Sequence, residues 1–269
     1  MSKTDSRVGL LEREQEVMRI INLFLDKKLD FVVVGGYAIS TYKKRFSIDL
    51  DIVVSEDDLK KFEKALEKEG YFLHYEKEIA LLYGENFKRF RKKMKNLPVD
   101  IDLLINGLVC RTTEGTWGID YIKKHSVKRK LSNSEFLTPE RELLIAMKLH
   151  SGRLSDIRDV VALMPCNIEK LKKHLQKGDA EKVKTSIKKQ FDFLNKPQFD
   201  DSFKGIFGPY AYNEKDVQTA KELIKEILEE RNTKKLKYIP FRDSLLTLDE
   251  KDKPKVMKKD KKPERSESI

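Results

Sequence analysis

Long apolar runs are missing from this chain of 269 residues. No stretch approaches the ~18 consecutive apolar residues that a membrane span requires. The first residues, with Asp5, Arg7, Glu12 and Arg13, lack the apolar core of a secretory signal. The expectation is a protein without a membrane partner. Cysteine is scarce as well: Cys110 and Cys166 are the only two, and they fall in separate elements. That excludes a disulfide scaffold and suits buried thiols in a reducing cytoplasm. The four histidines, His74, His125, His150 and His174, have no metal-ligand spacing in the sequence, so surface or core roles are expected of them rather than zinc binding. No internal repeat is present.

Charge, by contrast, is abundant. Charged residues make up 38% of the chain and the formal net charge is +11, which favours an acidic partner. The cations cluster at Lys43-Lys44-Arg45, Lys88-Arg89-Phe90-Arg91-Lys92-Lys93, Lys123-Lys124 and Lys128-Arg129-Lys130. Phe87 and Phe90 interleave with the second cluster, a pattern by which single strands and tRNA ends are held, so RNA is the expected macromolecular partner. The bland alternative is a lysine-rich surface paired to glutamates.

The segment richest in chemistry is Val32 to Val54, VVVGGYAISTYKKRFSIDLDIVV. Phe31 to Val34 is a continuous apolar run that reads as a buried strand. Gly35-Gly36 ends it, and a helix from about Tyr37 to Lys43 follows. Two glycines permit a sharp turn and a close approach of phosphate to backbone, but they serve equally in ordinary turns. After twelve intervening residues Asp49 and Asp51 stand on a second strand. Strand side chains alternate with a period of two, so both carboxylates share a face while Leu50 and Ile52 turn to the core. Paired hard oxygen ligands on a rigid strand suit Mg²⁺, which takes one or two carboxylates together with substrate phosphates. Phosphoryl or nucleotidyl transfer is the chemistry this implies.

A strand, Gly-Gly, a helix and then Arg45-x-Ser47-x-Asp49-Leu50-Asp51 resembles the nucleotidyltransferase superfamily of the DNA polymerase β type, and among its members the minimal nucleotidyltransferases and abortive-infection toxins. The resemblance implies that Gly35 and Gly36 hold nucleotide phosphates, that Ser47 touches the γ-phosphate, and that Asp49 and Asp51 hold two Mg²⁺ ions, with Mn²⁺ as a substitute. Arg45 is either a phosphate contact, a partner of Asp49 or a helix-end charge. The superfamily also places a third carboxylate on a later strand as metal ligand and base. Pro98-Val99-Asp100-Ile101-Asp102-Leu103-Leu104-Ile105 offers Asp102, deeper in the apolar run, with Asp100 as the alternative. An NTP, ATP among them, would be one substrate and an acceptor hydroxyl on an RNA or tRNA end the other. Transfer to a protein or small molecule, or an inactive RNA-binding member of the fold, is the alternative. The toxin relatives imply an antitoxin protein as a further partner.

Downstream, Thr138-Pro139-Glu140 reads as a capped helix start, followed by a helix to about His150, a break at Ser151-Gly152 and another helix opening at Ser155-Asp156. Lys148, Arg153, Asp156, Arg158 and Asp159 resemble the same toxin-like branch, where Lys148 would contact the triphosphate; an ion-paired helix surface is the competing reading. Helices are also expected over Glu12 to Lys28, Leu59 to Gly70, Ile168 to Leu175, Ala180 to Leu194 and Asp216 to Arg231, with Lys196 to Tyr212 as a loop or linker. The fold class expected is α+β, a nucleotidyltransferase-type mixed sheet with flanking helices followed by a helical C-terminal region. The divisions expected are a catalytic domain over 1–131, a helical region over 132–247 and a disordered basic tail over 248–269, where Lys251 to Ile269 carries eight basic and four acidic side chains.

Overall fold

The computed structural model describes residues 3–74, 86–95 and 97–233. All belong to the unit formed by residues 1–239. The basic tail over 248–269 and the end of the helical region lie outside the described residues.

Five strands form a mixed sheet: β1 (Phe31–Val34), β2 (Asp49–Val54), β3 (Phe72–His74), β4 (Phe87–Lys92) and β5 (Val99–Ile105). Their spatial order is β1-β2-β5-β4-β3, so the two strands that carry the Asp-x-Asp pairs are neighbours inside the sheet. β2 and β5 run parallel, with Asp49 opposite Asp100 and Asp51 opposite Asp102. β1 is antiparallel to β2, and β4 antiparallel to β5. On one face Leu50, Ile52, Ile101, Leu103 and Phe90 are buried. Helix α1 (Lys3–Asp26) and helix α3 (Glu56–Lys68) lie against the sheet. Phe24 of α1, Phe31 of β1 and Phe62 of α3 meet edge to face, with centroids 5.0 to 6.2 Å apart. Burial of each such ring stabilises the fold by roughly 1.5–3 kcal/mol, which anchors the sheet that carries the carboxylates.

Between β1 and β2 lies the short helix α2 (Gly35–Ser40), starting at the first glycine rather than at Tyr37. Two hairpins follow the sheet, β6 (Gly107–Cys110) with β7 (Gly115–Gly118), and β8 (Ser126–Leu131) with β9 (Ser134–Pro139); α4 (Ile119–Lys124) sits between them. The second hairpin spans residue 131, pairing Leu131 with Ser134. The expected helix start at Thr138-Pro139 is corrected: both residues end β9, where Pro139 opposes Ser126. A strand end tolerates a missing N–H. Helix α5 (Arg141–Ser151) begins two residues later, and Gly152 closes it at φ 72°. After a 3₁₀ turn at Leu154–Asp156 come α6 (Ile157–Ala162), α7 (Ile168–His174), α8 (Ala180–Leu194), α9 (Gln198–Phe207) and α10 (Glu214–Thr233).

Helix α9 is the other departure from expectation, since Lys196 to Tyr212 reads as a loop. Phe199, Phe203 and Phe207 recur every four residues on one helical face and are buried. Pro197 stands at its N-cap and Gly208 at its C-cap, so the residues that suggest a linker mark the two ends of the helix.

Candidate active site

The in-register parallel pairing of β2 and β5 puts four carboxylates on one face of the sheet. Oxygens of Asp49, Asp51 and Asp102 all lie within 4.8 Å of one another. Asp49 is the most open, with its side chain 33% exposed, Asp51 is half-buried and Asp102 is 1% exposed. Asp51 is held well above the usual carboxylate range, first by its recessed position and then by Asp49 and Asp102 beside it. Burial pushes Asp102 up to about 6, against the opposing effect of Arg89.

β4 supplies that opposition. Arg89 faces Asp102 and Arg91 faces Asp100 in the antiparallel register. The Arg89 guanidinium donates from Nε to Asp102 Oδ1 at 2.7 Å and from Nη2 to Asp102 Oδ2 at 2.6 Å, and Nη2 also lies 3.4 Å from Asp49 Oδ2. Arg91 forms a similar fork on Asp100, at 2.7 and 2.8 Å. Lys88 pairs with Glu63 at 2.6 Å and Lys92 with Glu16 at 3.0 Å. These cations are therefore engaged within the fold, and Phe90 between them is buried in the core. Four of its cations neutralise acidic groups of the fold, two of them on the carboxylate face itself. Each β5 carboxylate is held by an arginine fork, Asp102 by Arg89 and Asp100 by Arg91, and it is Asp102 that clusters with Asp49 and Asp51.

The glycine turn lies against this face. A Cβ on Gly35, whose φ is +62°, would fall 1.9 Å from Asp51 Oδ2, and one on Gly36 would fall 2.1 Å from Ser47 Oγ. Both glycines are thus required by close approach, not only by the turn. Ser47 is buried beside Gly36, and the Ser40 hydroxyl lies 3.0 Å from the Gly36 carbonyl oxygen and 2.9 Å from that of Arg45, tying the turn to the segment entering β2. Phe46 and Ile48, which alternate with Ser47 and Asp49, are large apolar side chains left exposed beside the site.

Arg45 pairs with neither Asp49 nor solvent. Its guanidinium meets Asp159 of α6 and lies 5.9 Å above the Phe207 ring of α9. Asp159 in turn holds Lys148 at 2.8 Å, and Asp156 lies 3.4 Å from the same ammonium. Ser151 Oγ donates to Asp156 at 2.6 Å and Arg153 Nε at 3.0 Å. The surface reading of these charges is corrected in part, for Lys148, Asp156 and Asp159 are buried. Burial alone would discharge Lys148, but Asp156 and Asp159 raise its pKa above the ordinary value; Lys148 and Arg153 hold Asp156 below its own. Lys148 reaches the site's edge, lining with Gly35, Asp51, Leu104, Met147 and Arg153 a pocket of about 120 Å³.

A family model described as an uncharacterised nucleotidyltransferase matches residues 10–185, a span that includes the glycine turn, all four aspartates and Lys148. The chain belongs to this nucleotidyltransferase family. Two solved structures are also similar to the nucleotidyltransferase: a crystal structure of ANT(2″)-Ia in complex with adenylyl-2″-tobramycin, 12% identical, covering 82% of this chain and 98% of that one at a TM-score of 0.37, and a solution structure of the antibiotic-resistance factor ANT(2″)-Ia, 12% identical, covering 85% and 96% at 0.36. A likeness at these values carries nothing about substrate. No curated protein matches the chain. The family makes the protein an enzyme whose substrate is an NTP, and no helix among the described residues is long and apolar enough to cross a membrane.

What the sequence reading missed is the pairing of Arg89 and Arg91, two members of the second basic cluster, with Asp102 and Asp100. Arg-x-Arg on a strand has the same period-two signature as each Asp-x-Asp, and the three pairs line up across β2, β5 and β4.

Proposed function

We propose that this nucleotidyltransferase moves an NMP from an NTP to an acceptor hydroxyl with divalent-metal assistance at Asp49, Asp51 and Asp102. The observation that carries this is the approach of three carboxylates, two with raised pKa values, on one sheet face beside a side-chain-free turn. Mutual repulsion of such a donor set is relieved by a hard cation, and all-oxygen ligands fit Mg²⁺, or Mn²⁺ in its place. Two Mg²⁺ bound there would neutralise the triphosphate and lower the pKa of the acceptor hydroxyl. Asp102, recessed and held by Arg89, positions its carboxylate at the sheet face, where it serves as the base for that hydroxyl. Gly35 and Gly36 let Asp51 and Ser47 close against the turn, beside which the triphosphate would lie. Arg45 and Lys148 border this space as fixed positive charges whose partners are Asp159 and Asp156.

For the acceptor, the net charge of +11 supports an RNA end. The internal pairing of the Lys88 to Lys92 cations favours instead an acceptor that does not need them, a small molecule or a protein hydroxyl. The protein incubated with each of four labelled NTPs and Mg²⁺, alone, with total RNA and with hydroxylated small molecules, separates these. Label in RNA supports the first acceptor and label in the protein or small molecule the second; absence of transfer in every mixture, with no pyrophosphate released, overturns the assignment of the carboxylates. An antitoxin partner would be recovered as a protein that suppresses the transfer.

We assign catalysis to residues 1–131, with the β8–β9 hairpin crossing that boundary and Lys148 contributed from beyond it.

A further inference from the structure

Away from the carboxylate face, three element ends converge. His125 is the C-cap of α4, Glu140 the N-cap of α5 and His174 the last residue of α7. His125 Nδ1 lies 3.0 Å and His174 Nε2 3.2 Å from the same oxygen, Glu140 Oε1. The three ligand atoms all fall within 4.8 Å of one another.

We propose that His125, Glu140 and His174 form a second metal site, for a borderline divalent ion of the Zn²⁺ kind, that clamps α4, α5 and α7 together.

Four observations support it. Two imidazole nitrogens and one carboxylate oxygen are a donor set that selects Zn²⁺ over Mg²⁺, unlike the all-oxygen set on the sheet. Bonds of about 2.0 Å in a tetrahedron give ligand separations of ~3.3 Å, which the 3.0 and 3.2 Å spacings already approach. His174 is 2% exposed, and its other nitrogen, Nδ1, lies 2.8 Å from the Tyr121 hydroxyl, the outer partner that fixes the tautomer of a ligating imidazole. Finally, the second carboxylate oxygen of Glu140 is held by Lys170, which is itself half open to solvent, so Oε1 stays aimed at both rings. His125 is 29% exposed and gives an ion its way in, with a fourth position left for water. Glu140 and Lys148 are eight residues apart, ~12 Å along α5, so the two centres are distinct.

The test is titration of the full chain with Zn²⁺ and with Co²⁺ as its coloured surrogate, in saturating Mg²⁺ so that the sheet carboxylates are occupied. Wild type and Asp49→Asn should each take up one Co²⁺ with the visible absorption of a tetrahedral ion. His125→Ala and Glu140→Gln should weaken uptake by more than about 100-fold, and Tyr121→Phe by about 10-fold, each with an unchanged circular dichroism spectrum. Wild type showing no such absorption overturns the proposal whatever the variants do, and so does uptake that survives in His125→Ala but is lost in Asp49→Asn.

Discussion

Arg89 grips both oxygens of Asp102, at 2.7 and 2.6 Å, and reaches Asp49 with the same guanidinium. Burial works against its charge, but Asp102, Asp100 and Asp49 together hold Arg89 above its ordinary pKa. One fixed positive charge therefore stands among carboxylates that would otherwise lie uncompensated. Arg89→Gln should lower the melting temperature of the metal-free protein and narrow the gap as Mg²⁺ is added. A thermal shift that ignores Mg²⁺ equally in both proteins would contradict this.

Asp51→Asn removes a carboxylate crowded by Asp49 and Asp102, so the metal-free protein should melt higher while nucleotidyl transfer falls below about 1% of wild type. Each kcal/mol gained corresponds to about 2–4 °C in a protein of this size. Calorimetry together with pyrophosphate release measures both. A variant that melts lower, or that keeps appreciable turnover, counts against Asp51 as a ligand.

Asp102→Asn should cost about 10²–10⁴-fold in kcat, the usual contribution of a positioned base, whereas Asp100→Asn, which loses its fork to Arg91 and a longer ion pair to Arg89, should cost far less and act through stability. The opposite ranking would transfer the base to Asp100.

Asp156 lies below the usual carboxylate value of 3.8 because Lys148, Arg153 and Ser151 favour its charged form. A depressed folded-state pKa gives stability that is present above the unfolded value and lost as pH falls through the folded one. Asp156→Asn should accordingly destabilise by of the order of 3 kcal/mol at neutral pH, and the difference from wild type should shrink below about pH 4. Parallel denaturation curves across that range would remove Asp156 from the buried network.

Much of the sheet was legible because its signals are local. The apolar run at Phe31–Val34, the two Asp-x-Asp pairs and the helical periodicity of Ala180–Leu194 all state their element within a few residues. What the sequence concealed depends on partners far along the chain. Arg45 meets Asp159 across 114 residues and His174 meets Glu140 across 34, spacings with no local pattern. Thr138-Pro139 misleads for a related reason: cap chemistry is a weak local preference, and pairing with Ser126 and Val127 overrides it.

The order β1-β2-β5-β4-β3 also has a kinetic meaning. Asp51 and Asp102 become neighbours only after the chain has left β2, formed α3, β3 and β4, and returned to insert β5 beside β2. Until residue 105 is available during synthesis, β2 presents an unpaired edge of Asp49–Val54, and its apolar half is suited to pairing with the wrong chain. Non-local parallel pairing of this kind is slow because loop closure precedes any reward from contact. The charges we assign to the metal site, Asp49 and Asp51, would then also act earlier as gatekeepers, keeping that open edge from recruiting a second nascent chain.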